Sequence, residues 1–205
     1  FILYNPKTKL AFYQKMQLYL TDQIKNFPKH LEVLKKKPVM EFDKCKLKEK
    51  SSIISIHTVK QFQDLDTGFL FDYQIFPGKI MICLAQCTFE KRTMKVGDII
   101  VQQVFIPPFK PFSQKLVFGV WINKIIHEPT RIGIIYVILN GHVEKGISIF
   151  TIEQNADQNT IFKIHTYSSP GSILLKLLSP FFSNPYQDYC TRQALLNVKL
   201  QLDKQ

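Results

Sequence analysis

The sequence predicts an α+β domain, in which a curved antiparallel sheet of about six to eight strands packs on a long C-terminal helix and a further helix leads the chain. Three observations carry this. Between residues 52 and 167 the apolar residues fall in short runs rich in β-branched and aromatic side chains, with turn formers in most of the gaps. Before that region, residues 9–27 place Leu10, Tyr13, Met16, Leu20, Ile24 and Phe27 near a 3.6-residue period. After it, residues 185–203 place Cys190, Ala194, Val198 and Leu202 at four-residue steps.

The first helix is expected over 9–27, with Pro28 ending it and a shorter helical or irregular piece following around Leu31 and Leu34. A lysine-rich connection to Lys50 closes an N-terminal segment, 1–50, ahead of a sheet-and-helix domain, 51–205. Strands are expected at SIISIHTV (52–59), FLFDYQIF (69–76), MICLAQCTF (81–89), DIIVQQVFI (98–106), KLVFGVWINKII (115–126), RIGIIYVIL (131–139), GISIFTIE (146–153) and TIFKIHTY (160–167). In MICLAQCTF, Met81, Leu84, Ala85 and Thr88 also fit one helical face. Successive strands joined by short turns make an antiparallel meander and not βαβ units. HEPT (127–130) and EQNADQNT (153–160) read as turn and hairpin loop. A short apolar helix is expected at 172–182, and Asn184-Pro185 supplies a cap and a first-turn proline for the terminal helix.

Composition narrows the function classes. A chain of 205 residues, 45% hydrophobic with 17 Phe and 8 Tyr, is not disordered. No apolar run approaches the ~20 residues of a membrane-spanning helix, and the visible start shows no secretion signal. Four cysteines, Cys45, Cys83, Cys87 and Cys190, are too sparse for a disulfide scaffold and read as small buried hydrophobes in a cytoplasmic protein. The net charge is +11, and residues 1–60 hold 13 Lys against 5 Asp/Glu. Arginine and interleaved aromatics are missing there, so specific nucleic-acid binding is not expected, while weak contact with an anionic membrane surface stays open.

Familiar catalytic patterns are absent: the sequence holds no nucleophile elbow, P-loop, zincin helix or dinucleotide glycine fingerprint. His30, His57, His127, His142 and His165 never take metal-ligand spacing with one another, so no metal, no cofactor and no catalytic residue is assigned. The densest polar group within the strands is LNGHVEKG, 139–146. Asn140-Gly141 marks a tight turn, and His142 and Glu144, two apart, should share a strand face. A carboxylate beside an imidazole raises its basicity and fixes its tautomer, which suits a ligand contact or a general base. The same residues also suit a plain decorated hairpin. Gln102-Gln103, Asn123, His165 and Tyr167 interrupt other strands, which ordinary in-and-out alternation explains. Trp121, the single tryptophan, suits a core or a cavity wall.

An ordered set of motifs carries a resemblance. VGD (96–98), HEPTRIGIIY (127–136), LNGHVEKG (139–146), SIFTIE (148–153), HTYSSP (165–170) and PYQDYCTRQAL (185–195) follow one another as in the uncharacterised bacterial and plant family called domain of unknown function nineteen-ninety. Gly133, Tyr136, Leu139, Gly141, His142, Glu144, Gly146, Phe150, Pro170 and Arg192 take the family's positions, with Ser168 or Ser169 in its serine place. After Gly146 the family commonly has an acidic residue, whereas this chain has Ile147-Ser148. The strand-then-helix order looks like the helix-grip architecture of the START and pollen-allergen superfamily, which implies an apolar ligand held between sheet and helix. His142 and Glu144 would then hold the polar end of a lipid-like small molecule, with Tyr136 or Tyr167 as hydrogen-bond partners, Trp121 in the wall, and Gly141 and Gly146 shaping the turn. Two alternatives are an enzyme using His142 and Glu144 as an acid–base pair, and peripheral attachment to an anionic membrane.

Overall fold

A computed structural model of the chain describes residues 17–106, 113–142, 144–170 and 184–205. Seven strands lie in one antiparallel path: β2 (Lys48–Ser55), β8 (Thr160–Pro170), β7 (Glu144–Gln154), β6 (Arg131–Ile138), β5 (Gln114–Glu128), β4 (Ile99–Ile106) and β3 (Met81–Ala85). A short strand, β1 (Gln17–Tyr19), pairs with the first part of β5 where β6 does not reach. From β3 to β8 each strand pairs with the next in sequence, which is the meander that the short turns imply. The register of β5 against β6 shifts between Ile122 and Lys124, a bulge that bends the sheet.

Strands β2 and β3 are neighbours in sequence but stand at opposite edges. The chain between them therefore crosses one face of the sheet, burying Ile56, Phe62, Leu65, Leu70, Tyr73 and Ile75. It includes a one-turn helix, α2 (Gly68–Phe71), and another, α3 (Gln86–Phe89), follows β3. The C-terminal helix, α4 (Asn184–Leu202), packs on the same face. Its buried residues Ala194, Val198 and Leu202 continue the four-residue series that the sequence shows. Burying side chains such as Val198 and Leu202 contributes roughly 1.5–3 kcal/mol each. Polar ties fix the helix in place. Asn197 Nδ2 donates to the carbonyls of Gln74 (3.1 Å) and Ile75 (3.0 Å), and Lys199 Nζ donates to Ser55 O at 2.9 Å.

The opposite face carries α1 (Phe27–Leu34), which buries Phe27, Leu31 and Leu34 against Ile99, Val101, Val117 and Leu139. The fold class is thus the predicted one, an α+β domain with a C-terminal helix on an antiparallel sheet and an N-terminal helix on its other side.

Several local expectations change. The helix predicted over 9–27 is not continuous: residues 17–19 are strand, a single 3-10 turn occupies Ile24–Asn26 and the α-helix begins only at Phe27, while 9–16 lie outside the described residues. Asp22 Oδ1 accepts the N–H of Ile24 at 2.8 Å, a local turn that competes with a helix there. Pro28 sits in the first turn of α1, where its missing N–H costs nothing, so it starts a helix and does not end one. FLFDYQIF is not a strand. Asp66 Oδ1 caps the N–H of Gly68 at 3.0 Å, α2 follows, and Tyr73 takes a left-handed φ of 57°. MICLAQCTF divides into strand and helix at Ala85, which is where its two periodicities compete. Strand β2 begins at Lys48 and pairs with β8, and β1 pairs with β5. The apolar helix expected at 172–182 lies outside the described residues.

Candidate functional site

On the α4 face, strand alternation and register bring a row of polar residues together. Tyr136 of β6 lies opposite Ile122 on one side and Ser148 of β7 on the other, and Ser148 lies opposite Thr166 of β8. Gln102 of β4 is buried on this face too, and its Nε2 donates to Tyr73 Oη at 2.9 Å. The Tyr73 and Tyr136 rings meet edge to face with centroids 6.1 Å apart, and Tyr136 stands beside Ser148 across the ladder. Gln102, Tyr73, Tyr136 and Ser148 thus form a polar row inside the apolar interior. Burial pushes both tyrosine hydroxyls above their ordinary range, so they stay protonated and serve as donors. Their rings pack with Phe150 and Phe76, with Tyr136 and Phe150 centroids 5.5 Å apart and Tyr73 and Phe76 6.2 Å apart.

LNGHVEKG delivers its polar residues to the edge of this row. The N–H of His142 closes on Leu139 O at 3.3 Å, and Gly141 takes a φ of 94°, which glycine adopts without steric cost. Gly146 has a φ of 141°, and a Cβ there would stand 1.9 Å from Tyr167 O. Only glycine lets β7 lie against β8 at this point. Glu144 is the first residue of β7, and its carboxyl acts electrostatically on Tyr136 and on Cys190 of α4, so it faces the helix. Burial holds the Glu144 carboxyl at about 7, well above the 4.5 of an ordinary glutamate. Among the described residues it has no ion pair and no hydrogen bond to its carboxyl oxygens.

His142 is not paired with that carboxylate as the spacing suggests. Its Nδ1 accepts the backbone N–H of Glu144 at 2.9 Å, because the residue sits in the turn ahead of β7 and not on its face. An Nδ1 that accepts leaves the proton on Nε2, so the ring is a neutral donor there. Its ring lies against Phe118, with centroids 3.9 Å apart, and burial lowers its pKa to about 3. The proton that moves near neutrality therefore belongs to Glu144. The imidazole is neutral at that pH, and burial weakens it as a base.

Tyr136, His142 and Glu144 come together; Trp121 and Tyr167 do not join them. Trp121 packs on the α1 face with Ile99 and Val117. Tyr167 has odd parity on β8, opposite to Ser168 and Thr166, and its hydroxyl donates to Glu49 Oε1 at 3.1 Å beside His165. Arg192 is exposed on α4. Tyr73, Ser148, Tyr186 and Cys190 are members that motif reading passed over. Ser148 could have been found, since alternation in GISIFTIE places it on the same face as Phe150 and Ile152. Cys190 begins the buried series of α4, and burial pushes its thiol to about 11. Tyr186 Oη donates to Phe105 O at 2.7 Å, and its ring covers Val104, Leu116 and Phe118.

Two open depressions mark the surface elsewhere. One is bordered by Glu41, Phe42, Asp43, Lys46, Lys145 and Ser169, the other by residues including Phe71, Cys87, Arg92, Met94 and His127. Neither lies between the sheet and α4, where the aromatic rings fill the floor.

None of the curated proteins matches the chain. Among solved structures it is similar to a hypothetical protein from Helicobacter pylori, at 12% identity and a TM-score of 0.46, over 74% of this chain and 83% of that one. It is also similar to an uncharacterised protein from Rhizobium leguminosarum, at 12% identity and a TM-score of 0.43, over 77% of this chain and 97% of that one. Likenesses this distant bear on neither mechanism nor ligand. The ordered motifs are matched by a family model: residues 60–196 fit the one described as "Domain of unknown function (DUF1990)", and the chain belongs to that family.

Proposed function

We propose that the domain binds a small amphipathic molecule between the sheet and the N-terminal half of α4, in the manner of helix-grip proteins of the START and pollen-allergen superfamily. The observation that carries this reading is the Glu144 carboxyl, which is half-buried, faces α4, and has no cation or donor on it among the described residues. An unpartnered buried carboxyl costs stability unless something is there for it to meet. The ligand's polar end would take Glu144, the Tyr136 hydroxyl and the Nε2–H of His142. Its apolar part would lie along Val104, Leu116 and Phe118, under Tyr186. Few polar groups on an aromatic floor suit such a ligand.

Native mass spectrometry of the purified protein tests the reading. A mass increment of a small organic molecule, lost in Glu144→Gln, is expected. A bare protein mass, with no uptake of amphipathic amines or alcohols on titration, overturns it.

A second reading, an enzyme, has one observation in its favour: Glu144 stands near neutrality, the range of a general acid or base. The acid–base group would then be Glu144, with Tyr136 as its neighbour, and His142 would only donate a hydrogen bond. Turnover of any ligand found, with a pH dependence near 7 that disappears in Glu144→Gln, separates catalysis from binding.

A further inference from the structure

The opposite face of the sheet holds a second anomaly, independent of the first. Lys115 of β5 is buried, with only 9% of its surface exposed. Its Nζ donates to the carbonyls of Ser113 (2.7 Å) and Leu20 (3.0 Å). Two neutral carbonyls accept its protons but do not cancel its charge. All 16 Asp and Glu of the chain lie among the described residues, and Lys115 forms an ion pair with none of them. Asp22, the carboxylate nearest in sequence to Leu20, is exposed and gives an oxygen to the N–H of Ile24.

Gln103 of β4 lies beside it. The ladder sets Gln103 opposite Val117 and Phe105 opposite Lys115, so Gln103 and Lys115 are diagonal neighbours on one face. Both reach the same short segment, Lys115 at Leu20 and Gln103 at Gln23, whose N–H donates to Gln103 Oε1 at 2.7 Å. That bond fixes which end of the amide is which. Gln103 Nε2 is then left buried, in a residue with 0% exposure, without a hydrogen-bond partner among the described residues. An unmade hydrogen bond of this kind costs about 1–3 kcal/mol, and native structures rarely tolerate one without an occupant. The one acidic residue of the segment, Asp22, is exposed and is engaged with the N–H of Ile24. Helix α1 begins here with no acidic residue in its first turn and no side-chain cap.

An unneutralised ammonium and an unused amide donor, converging under one segment, make a site for an acceptor that carries negative charge. We propose that Lys115 Nζ and Gln103 Nε2 bind a small oxyanion, a carboxylate or phosphate group, between the α1 face of the sheet and residues 20–23. The ammonium supplies the charge and the amide sets the direction.

The test is a titration of the whole protein with sodium phosphate and, separately, sodium acetate, against sodium chloride at matched ionic strength. The side-chain amide signals of Gln103 and the thermal midpoint are followed together. Saturable movement of both is expected with one of the two anions, and the better one tells a tetrahedral group from a planar one. Lys115→Met should abolish both responses, whereas Lys60→Met, at an exposed lysine, should leave them intact. Should Lys115→Met fail to fold, Gln103→Leu keeps the lysine and its carbonyls and should weaken anion binding at least tenfold. Gln103 signals that ignore both anions, or an unchanged affinity in Gln103→Leu, overturn the proposal and leave a bound water as the occupant.

Discussion

The two faces of the sheet make opposite use of a single buried charge. Among the described residues, Glu144 faces the helix under α4 without a cation, and Lys115 stands under residues 20–23 without a carboxylate. A third site shows that the chain pairs charges when structure alone requires it. Asp98, 1% exposed, takes Arg92 in a two-pronged pair at 2.7 and 2.6 Å, together with the N–H of Lys95 at 2.9 Å. Where both partners are supplied, the ion pair closes a turn beside Gly97. Where one is withheld, a donor or acceptor remains for something from outside. The contrast separates structural from functional polarity better than exposure does, since all three sites are buried or nearly so.

The largest expected effect comes from the backbone that sets Glu144 against β8. In Gly146→Ala the new Cβ would meet Tyr167 O at 1.9 Å, on a residue with a φ of 141°. Backbone must move on both strands, and a loss of ~4 kcal/mol or outright failure to fold is expected by urea denaturation. A variant that folds with unchanged stability would mean that β7 and β8 do not approach as described, and the α4 side of the comparison would collapse.

Next in size is the paired control. Arg92→Met leaves the Asp98 carboxylate buried without its cation and should cost about 3 kcal/mol, since breaking such a pair exposes the full desolvation penalty. Among the described residues neither Glu144 nor Lys115 has a counter-charge, so substituting either by an uncharged residue of similar shape should cost far less than this, or stabilise. If Glu144→Gln costs as much as Arg92→Met, an unseen partner holds the carboxylate and the contrast fails.

The pH dependence sharpens the α4 side. The folded value of Glu144, about 7, lies above its ordinary 4.5. Its contribution to stability is therefore fully present below 4.5 and is lost as pH rises through 7. His142 runs the other way. Its folded value of about 3 lies below the ordinary 6.5, so its contribution is present above 6.5 and is lost as pH falls toward 3. Between 4.5 and 6.5 the two slopes oppose each other. Denaturation of Glu144→Gln across this range should show a gain over the parent protein that grows with pH up to about 7, reaching on the order of 2–3 kcal/mol. A flat difference would place Glu144 in water.

Much of this was legible in residues and some was not. Strands β4 to β8 could be read because each is a run of β-branched and aromatic residues closed by turn formers, with β4 and the first half of β5 buried on both faces. The buried series from Cys190 to Leu202 was legible through its four-residue steps. FLFDYQIF was not, because Leu70 and Tyr73 are buried three apart, while Tyr73 and Ile75 are buried two apart. An eight-residue run cannot arbitrate between those periods. At the site, spacing placed His142 and Glu144 near each other but could not tell a side-chain contact from the backbone N–H that His142 takes. The partnering of Tyr136 with Tyr73 is less legible still, because it depends on a chain crossing the sheet between its two edges. Lys115 and Gln103 look like ordinary strand residues until the ladder sets them side by side.

The smallest effect is also the cleanest separation of the faces. Tyr136 and Tyr167 are both strand tyrosines near the LNGHVEKG turn, and sequence alone treats them as equivalent partners for a ligand. Parity divides them: Tyr136 packs against Tyr73 beside Ser148 under α4, while Tyr167 bonds Glu49 on the other side. Tyr167→Phe removes a hydrogen bond at an exposed carboxylate and should change stability by less than about 0.5 kcal/mol, with any ligand retained in native mass spectrometry. Tyr136→Phe removes a buried hydroxyl from the polar row, should cost about 1–2 kcal/mol, and should shed the ligand. Equal loss of ligand from both variants would put the binding surface across the sheet edge, reached from either face, and no longer under α4.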